Sequence, residues 1–473
     1  MMLRPTFGSF IGIWIFILGG AIHSGWAQSS APPNFVVFVA DDMAWEDCGA
    51  NGNPAVRTPN IDRLAAQGMR FTRAVLTCSS CSPSRSSILT GRYPHNTGAG
   101  ELHLPLPGDS VLLTSPLRQV GYWTAAIGKW HVGEAVGDQV EDRQGSPPPK
   151  MGDAWVAALQ RRPKDQPFFL WAAHLDPHRA YQKGAVDPPH DPADVIVPPM
   201  FPDTLPVRQD IALYYDEITR FDQHIGQVLD ELDAQGVADN TMVLVISDNG
   251  RPFPHCKTRV DLPGVGTPFV VRWPARVKPG ISDALVSSLD IAPTITKLAG
   301  ASVSDTFQGR DFSPLLWDPT AEIRQYAFAE HNWHDYRAFE RGVHNRQYCY
   351  VRNWLPGTPG TPPADAVNSP TFAEMKRLLA SGDLTQAQAS CFVTPRPTEM
   401  LYDVHQDPNC LDNLAADPEM RSVLDQMRSA LSQWQDQTTD RFPGEHRLTP
   451  DGFDRQTGKK LPSMSGAHPG PGK

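Results

Sequence analysis

The sequence predicts an α/β protein: a central, mostly parallel or mixed sheet held between layers of helices, followed by a smaller α+β unit. Three observations lead there. Continuous apolar runs rich in β-branched and aromatic residues recur at Asn34–Ala40, Phe168–Ala173 and 242–246, and a short run without alternation is the pattern of a strand covered on both faces. Between them, 58–66 and 211–232 place apolar residues three and four apart, the period of a helix with one buried face. Finally, 473 residues with 40% hydrophobic and 20% charged content can bury a large core, enough for one big domain and a small one.

At the N-terminus a cation at Arg4 precedes an apolar stretch over 7–22, then small residues close on Gly25-Trp26-Ala27 before Gln28. This is the pattern of a signal peptide over 1–27. Gly8, Gly12, Gly19 and Gly20 thin the stretch and disfavour a retained anchor, so the mature chain is expected to be exported, periplasmic or secreted, with no membrane span. The main domain is expected over 28–325. Pro-rich stretches at 146–150, 187–206 and 354–363 read as surface loops. From 326 to 446 a C-terminal α+β subdomain is expected, with strands at 342–353 and 400–404 and an amphipathic helix at 418–437. The tail at 447–473 is rich in Gly, Pro and Lys and is expected to be poorly ordered.

The formal net charge of −10 argues against a nucleic-acid partner, since phosphate backbones require a surplus of Lys and Arg. An anionic substrate must then meet a local cationic pocket. The seven cysteines are Cys48, Cys78, Cys81, Cys256, Cys349, Cys391 and Cys410. In an exported protein an odd count sets one thiol apart; with Cys81 reserved, six remain to pair, and Cys391–Cys410 is a possible bridge.

Two strands end on acidic residues, Asn34–Ala40 on Asp41-Asp42 and 242–246 on Ser247-Asp248-Asn249-Gly250. Ligands in open α/β sheets collect at the carboxyl ends of strands, so Asp41, Asp42, Asp248 and Asn249 are expected to converge. Three carboxylates and an amide carbonyl are hard oxygen ligands, suited to calcium or magnesium and not to zinc or copper, and the amide favours calcium. Either pair alone is also ordinary turn chemistry. In Cys81-Ser82-Pro83-Ser84-Arg85, Ser82 can cap a helix with Pro83 in its first turn. That places Cys81 at the positive end of a helix dipole, with Arg85 one turn on. Cys78-Ser79-Ser80-Cys81 is formally also a C-x-x-C redox or metal pair, but no second pair exists for zinc, and a redox site does not need the following Pro-Ser-Arg.

These residues resemble the type I, formylglycine-dependent sulfatase family. Ser80-Cys81-Ser82-Pro83-Ser84-Arg85 through Leu89-Thr90-Gly91 matches its first signature, and Gly121-Tyr122-Trp123-Thr124-Ala125-Ala126-Ile127-Gly128-Lys129-Trp130-His131 its second. The resemblance runs over about 34–440. It implies an alkaline-phosphatase-like sandwich with a short antiparallel sheet in the C-terminal subdomain. It implies that a maturation enzyme oxidises Cys81 to formylglycine (3-oxoalanine), and that Asp41, Asp42, Asp248 and Asn249, with position 81 itself, hold one calcium ion. It also implies that Arg85, Lys129, His131, His178 and Lys257 line the sulfate site. The aldehyde hydrate would attack sulfur while the substrate oxygen or nitrogen leaves, protonated by His178 or Lys257; His131 would then take a proton so that sulfate departs.

Asp176-Pro177-His178-Arg179 and Asp248-Asn249-Gly250-Arg251-Pro252-Phe253-Pro254 resemble the N-sulfoglucosamine sulfohydrolase branch, which suggests a sugar of a sulfated glycan. Lys257 after Cys256 departs from the Arg expected there, with Arg259 as an alternative, and leaves N-sulfate and O-sulfate both open. His95, Glu101, His103, His331, His334 and Arg337 are the candidate sugar contacts. A phosphate or phosphonate ester hydrolase on the same fold is the rival enzyme reading, and a degenerate glycan-binding protein the rival outside catalysis.

Overall fold

The computed structural model describes residues 1–2 and 31–441; the tail at 447–473 and, beyond Met2, the signal-peptide stretch lie outside the described residues. The elements belong to the unit that begins at Pro32.

Its main sheet has eight strands: β1 (Asn34–Ala40), β2 (Met69–Val75), β3 (Trp123–Gly128), β4 (Asp142–Gln144), β5 (Phe168–Ala173), β6 (Thr241–Ser247), β7 (Val270–Arg272) and β8 (Gly280–Ser287), in the order β4-β3-β5-β1-β6-β7-β2-β8. β7 runs antiparallel to both its neighbours and every other pairing is parallel. The apolar runs predicted as strands are therefore the sheet's centre. β1 is buried throughout, and its residues divide by parity: Phe35, Val37 and Val39 enter one core, Val36, Phe38 and Ala40 the other. That division is the period-2 signature of a strand with both faces covered.

Helices close both faces. The longest, Leu205–Ala234, buries Ile211, Tyr214, Ile218, Phe221, Ile225, Val228 and Leu232, a strict three-four alternation that forms one apolar stripe. Pro59–Gln67 and Met151–Arg161 share that face, through Ile61, Leu64 and Trp155. The opposite face is covered by Cys81–Thr90 and Ile291–Leu298, through Ile88, Leu89, Ile291 and Ile295. No helix among the described residues is long and apolar enough to cross a membrane.

A second sheet is antiparallel, in the order β12-β11-β10-β9, from β9 (Ala327–His334), β10 (Tyr336–His344), β11 (Tyr348–Asn353) and β12 (Glu399–Asp403). The stretch 342–353 is thus a hairpin and not one strand: Asn345 Oδ1 accepts the Gln347 and Tyr348 N–H groups, at 2.8 and 2.6 Å, and turns the chain. The helix Arg421–Thr438 packs on this sheet through Leu424, Met427, Leu431 and Trp434. The sheet is tied to the main domain where it matters: Glu330 N–H of β9 donates to Thr77 O at 2.8 Å, four residues before Cys81.

The possible bridge between Cys391 and Cys410 does not form. All seven cysteines are buried free thiols. Cys391 lies in the core of the opposite face from Cys410, whereas the turn after β12 returns Cys410 to hydrogen-bond Cys349 of β11.

Candidate active site

Parallel register builds the floor of the site. Ala40 of β1 is paired with Ser247 of β6, so the residues after each strand, Asp41-Asp42 and Asp248-Asn249, emerge side by side and fully buried. Asp42 has φ 77°, a left-handed conformation that non-glycine residues avoid, and its N–H donates to Asp248 Oδ1 at 3.2 Å. Asn249 Nδ2 donates to Asp42 Oδ1, while Asn249 Oδ1 is buried and finds no hydrogen-bond partner among the described residues. Burial pushes the carboxyls of Asp42 and Asp248 up; burial also opposes the charge on Asp41, but Lys129 and the other cations nearby outweigh it and hold that carboxyl down. An orphaned amide oxygen beside three buried carboxylates is a donor set that fits a hard divalent cation.

The helix that carries Cys81 begins two residues earlier than the sequence predicted. Cys81 is its first residue, Ser80 the extended N-cap with φ −157°. Ser82 lies inside the first turn, and its Oγ accepts the His103 N–H at 2.8 Å instead of capping the helix. Ser80 Oγ is likewise engaged, 2.8 Å from His334 Nδ1. All ten residues of the helix are buried, so the segment is held from every side and presents Cys81 inward. Its Sγ lies 3.7 Å from Asp41 Oδ1 and 4.0 Å from Asp42 Oδ1. Burial pushes this thiol up, so as an unmodified cysteine it stays protonated near neutral pH.

Cations answer the carboxylates one by one. Arg85 pairs with Asp248 Oδ2 at 2.7 Å and donates to Lys129 O at 3.0 Å. Lys129 Nζ reaches Asp41 Oδ2 at 2.5 Å. Its backbone is set by Gly128, φ 107°, where a Cβ would stand 1.8 Å from Ala173 O. Lys257 Nζ bridges Asp42 Oδ2 at 2.8 Å and Asp365 Oδ2 at 2.9 Å. Burial opposes the Lys257 charge, but Asp365 and Asp42 outweigh it and hold the ammonium well above its ordinary range. His178 Nε2 stands 3.6 Å from Asp365 and 3.9 Å from Asp42. Burial, then Lys257, pushes His178 down to about 4. Burial and Lys129 also depress His131, whose φ is 57° and whose ring lies 5.2 Å from that of His103. Cys81, Lys129, His131, His178 and Lys257 line one cavity of about 800 Å³. A pocket of cations above a buried oxygen-ligand cluster can hold a tetrahedral oxyanion and polarise it.

The sequence model described as Sulfatase matches residues 33–301, and that described as N-sulphoglucosamine sulphohydrolase, C-terminal, matches 259–356. The chain belongs to the sulfatase family. Within it, this sulfatase falls in the N-sulfoglucosamine sulfohydrolase branch: it is 32% identical to N-sulphoglucosamine sulphohydrolase of Homo sapiens over 86% of this chain and 91% of that one. It is also similar to an ulvan-active sulfatase of Formosa agariphila, at 28% identity over 85% and 74% of the two chains. It is thus a sulfuric ester hydrolase or sulfamidase. Solved structures share the alkaline-phosphatase-like fold. One, in complex with its substrate D-glucosamine-2-N,6-O-disulfate, has TM-score 0.68 and 18% identity over 88% of this chain and all of that one. Another, a phosphonate monoester hydrolase of Agrobacterium radiobacter, has TM-score 0.65 and 16% identity over 86% and 96%.

The sulfatase's second wall comes from the C-terminal part. Of the six candidate sugar contacts, His103 and His334 line the cavity. The other four do not. His95 Nδ1 is engaged by Glu330 at 2.7 Å, and its Nε2 lies 3.3 Å from Thr438 O, so it ties the last helix to the Cys81 side of the molecule. Glu101 is buried outside the cavity lining. His331 and Arg337 line a separate narrow crevice with Arg259, which is drawn off by Asp261 at 3.4 Å; Lys257, not Arg259, faces the main cavity. His174 is a core residue, its Nε2 2.9 Å from His224 Nδ1. Sequence reasoning missed Asp365. A lone aspartate next to a Pro-rich stretch carries no local signal, and only the fold brings it to Lys257 and His178.

Proposed function

We propose that this sulfatase is an exported enzyme that cleaves the sulfo group from a sugar of a sulfated glycan, with the N-sulfate of a glucosamine residue as its substrate. The observation that carries the reading is the placement of Cys81 at a buried helix start, between the Asp41-Asp42 pair and the ring of Arg85, Lys129, His131, His178 and Lys257. The name of the human relative and the disulfated glucosamine in the solved complex support the sugar. The similarity to an ulvan-active sulfatase favours a second reading, a sulfate ester on a different glycan.

Asp41, Asp42, Asp248 and Asn249 would hold calcium, which supplies charge to polarise the sulfo oxygens. Cys81, converted to formylglycine, would supply an oxygen nucleophile in place of a protonated thiol. The rest belongs to the chain's other side chains. Lys129 and Lys257 bind the sulfo oxygens as fixed cations, already oriented by Asp41 and Asp42. Lys257 is a poor acid because two carboxylates hold its proton, so His178 is the better donor to the leaving atom. An anionic sulfo group entering beside it would favour its protonated form. His131, kept neutral by burial and Lys129, is suited to take a proton on the nucleophile's side.

A comparison of kcat/KM on a matched aryl sulfate and aryl phosphate tests the class, because the fold alone is shared with a phosphonate hydrolase. The sulfate is expected to be the better substrate; a large preference for phosphate would contradict the reading.

A further inference from the structure

We infer that Asp365 is the residue that distinguishes a nitrogen from an oxygen leaving group, and so makes this sulfatase selective for sulfamates. The inference rests on the sulfatase reading above and deepens it.

Asp365 lines the same cavity as Cys81. Its carboxylate is held in one orientation: Oδ1 accepts the Ala366 N–H at 2.7 Å, and Oδ2 lies 2.9 Å from Lys257 Nζ and 3.6 Å from His178 Nε2. The short turn that carries it is pinned in turn, since Ala364 N–H donates to Asp335 Oδ2 at 2.7 Å. Asp42, His178 and Asp365 also bring ligand atoms within 4.8 Å of one another, yet the Lys257 ammonium already joins two of them. Asp42 is buried in the acidic floor, whereas the Asp365 side chain, 16% exposed, is the Lys257 partner that opens to the cavity. A carboxylate is a poor neighbour for an anionic sulfo group. Its place beside the proposed acid, His178, marks it as a contact for the atom that leaves.

The two leaving groups differ in what they offer a carboxylate. A sulfamate nitrogen carries an N–H that Asp365 can accept; an ester oxygen has only lone pairs, which the carboxylate repels. On cleavage the S–N bond breaks and nitrogen keeps the pair. One proton from the acid and one from solvent give an ammonium, so R–NH–SO3⁻ and water become R–NH3⁺ and sulfate. An ester gives a neutral alcohol, sulfate and a free proton. Only the sulfamate reaction develops positive charge at the leaving atom, where Asp365 stabilises it.

The test uses the calcium-loaded, formylglycine-converted enzyme and two sugars that differ at one atom, N-sulfoglucosamine and glucose 2-sulfate. Wild type is expected to favour the sulfamate. Asp365→Asn is expected to lower that kcat/KM ratio about tenfold or more, the loss that follows removal of one hydrogen bond to a charged group. Free glucosamine is expected to inhibit wild type more than glucose does, and Asp365→Asn to erase the difference; this second readout needs only binding. Equal losses on both substrates would show that Asp365 merely holds Lys257, and would overturn the assignment while the sulfatase reading stands. No turnover of either sugar or of any aryl sulfate by the wild type would overturn both.

Discussion

The cavity has two walls of opposite origin. Its floor, Asp41, Asp42, Cys81, Arg85, Lys129, Asp248 and Asn249, rises from strand ends and one helix start of the main sheet and is almost wholly buried. Its far wall comes from the β9–β10 connection, with His334 and Asp335, and from the short helix Ala364–Val367, which carries Asp365 and has Asn368 at its end; apart from the buried His334 it is more exposed. The floor is rich in cations paired to carboxylates, while the wall adds carboxylates and imidazole. Under the proposed function this difference is a division of labour: the floor would bind and activate the sulfo group, and the wall would read what carries it.

The sharpest way to break that division is Cys81→Ala. Turnover is expected to vanish while the thermal unfolding midpoint shifts little, because one small buried side chain is shortened and no disulfide is lost. Loss of folding would mean that Cys81 is a structural residue. Next in size, dialysis against a chelator is expected to remove nearly all activity and calcium to restore it, with zinc a poor substitute for an oxygen-ligand floor. A smaller effect is expected from the wall. Asp335→Ala frees the Ala364 N–H and loosens the turn that holds Asp365, and should raise KM several-fold more than it lowers kcat, read from steady-state kinetics.

The smallest effect lies beneath the floor. His174 and His224 share a hydrogen bond, and burial depresses both, His224 to about 4. Their folded pKa values lie below the unfolded one, so between about 6.5 and 4 the unfolded chain binds more protons. Urea unfolding midpoints are therefore expected to fall as pH drops through that window, and to change little from these groups above it. A midpoint flat from pH 7 to 4 would contradict the assignment of these rings as neutral core residues.

The same division explains what was legible in the sequence. The floor could be read because its residues lie in contiguous motifs, and because parallel pairing of β1 with β6 brings Asp41-Asp42 beside Asp248-Asn249 without any knowledge of the loops. The helix start was misplaced by two residues, since Ser82 has capping chemistry but spends it on the His103 N–H. The wall was largely illegible. His334 and His103 could be guessed as polar residues in the right regions, but His95 answers Glu330, and His331 and Arg337 face another crevice. His331 and Arg337 lie on β9 and β10, whose pairing shifts register between Arg337 and Glu340. The possible Cys391–Cys410 bridge is not made for a similar reason: β11 pairs Cys349 with Tyr402 of β12, and the turn after β12 carries Cys410 toward Cys349 and away from Cys391.

The central claim, that the floor works through a modified Cys81, is tested most directly by the mass of the peptide spanning Cys81 in fully active enzyme from its own host. The expected result is the mass of the aldehyde form, in a fraction that tracks specific activity. Unmodified cysteine throughout a fully active preparation would contradict it.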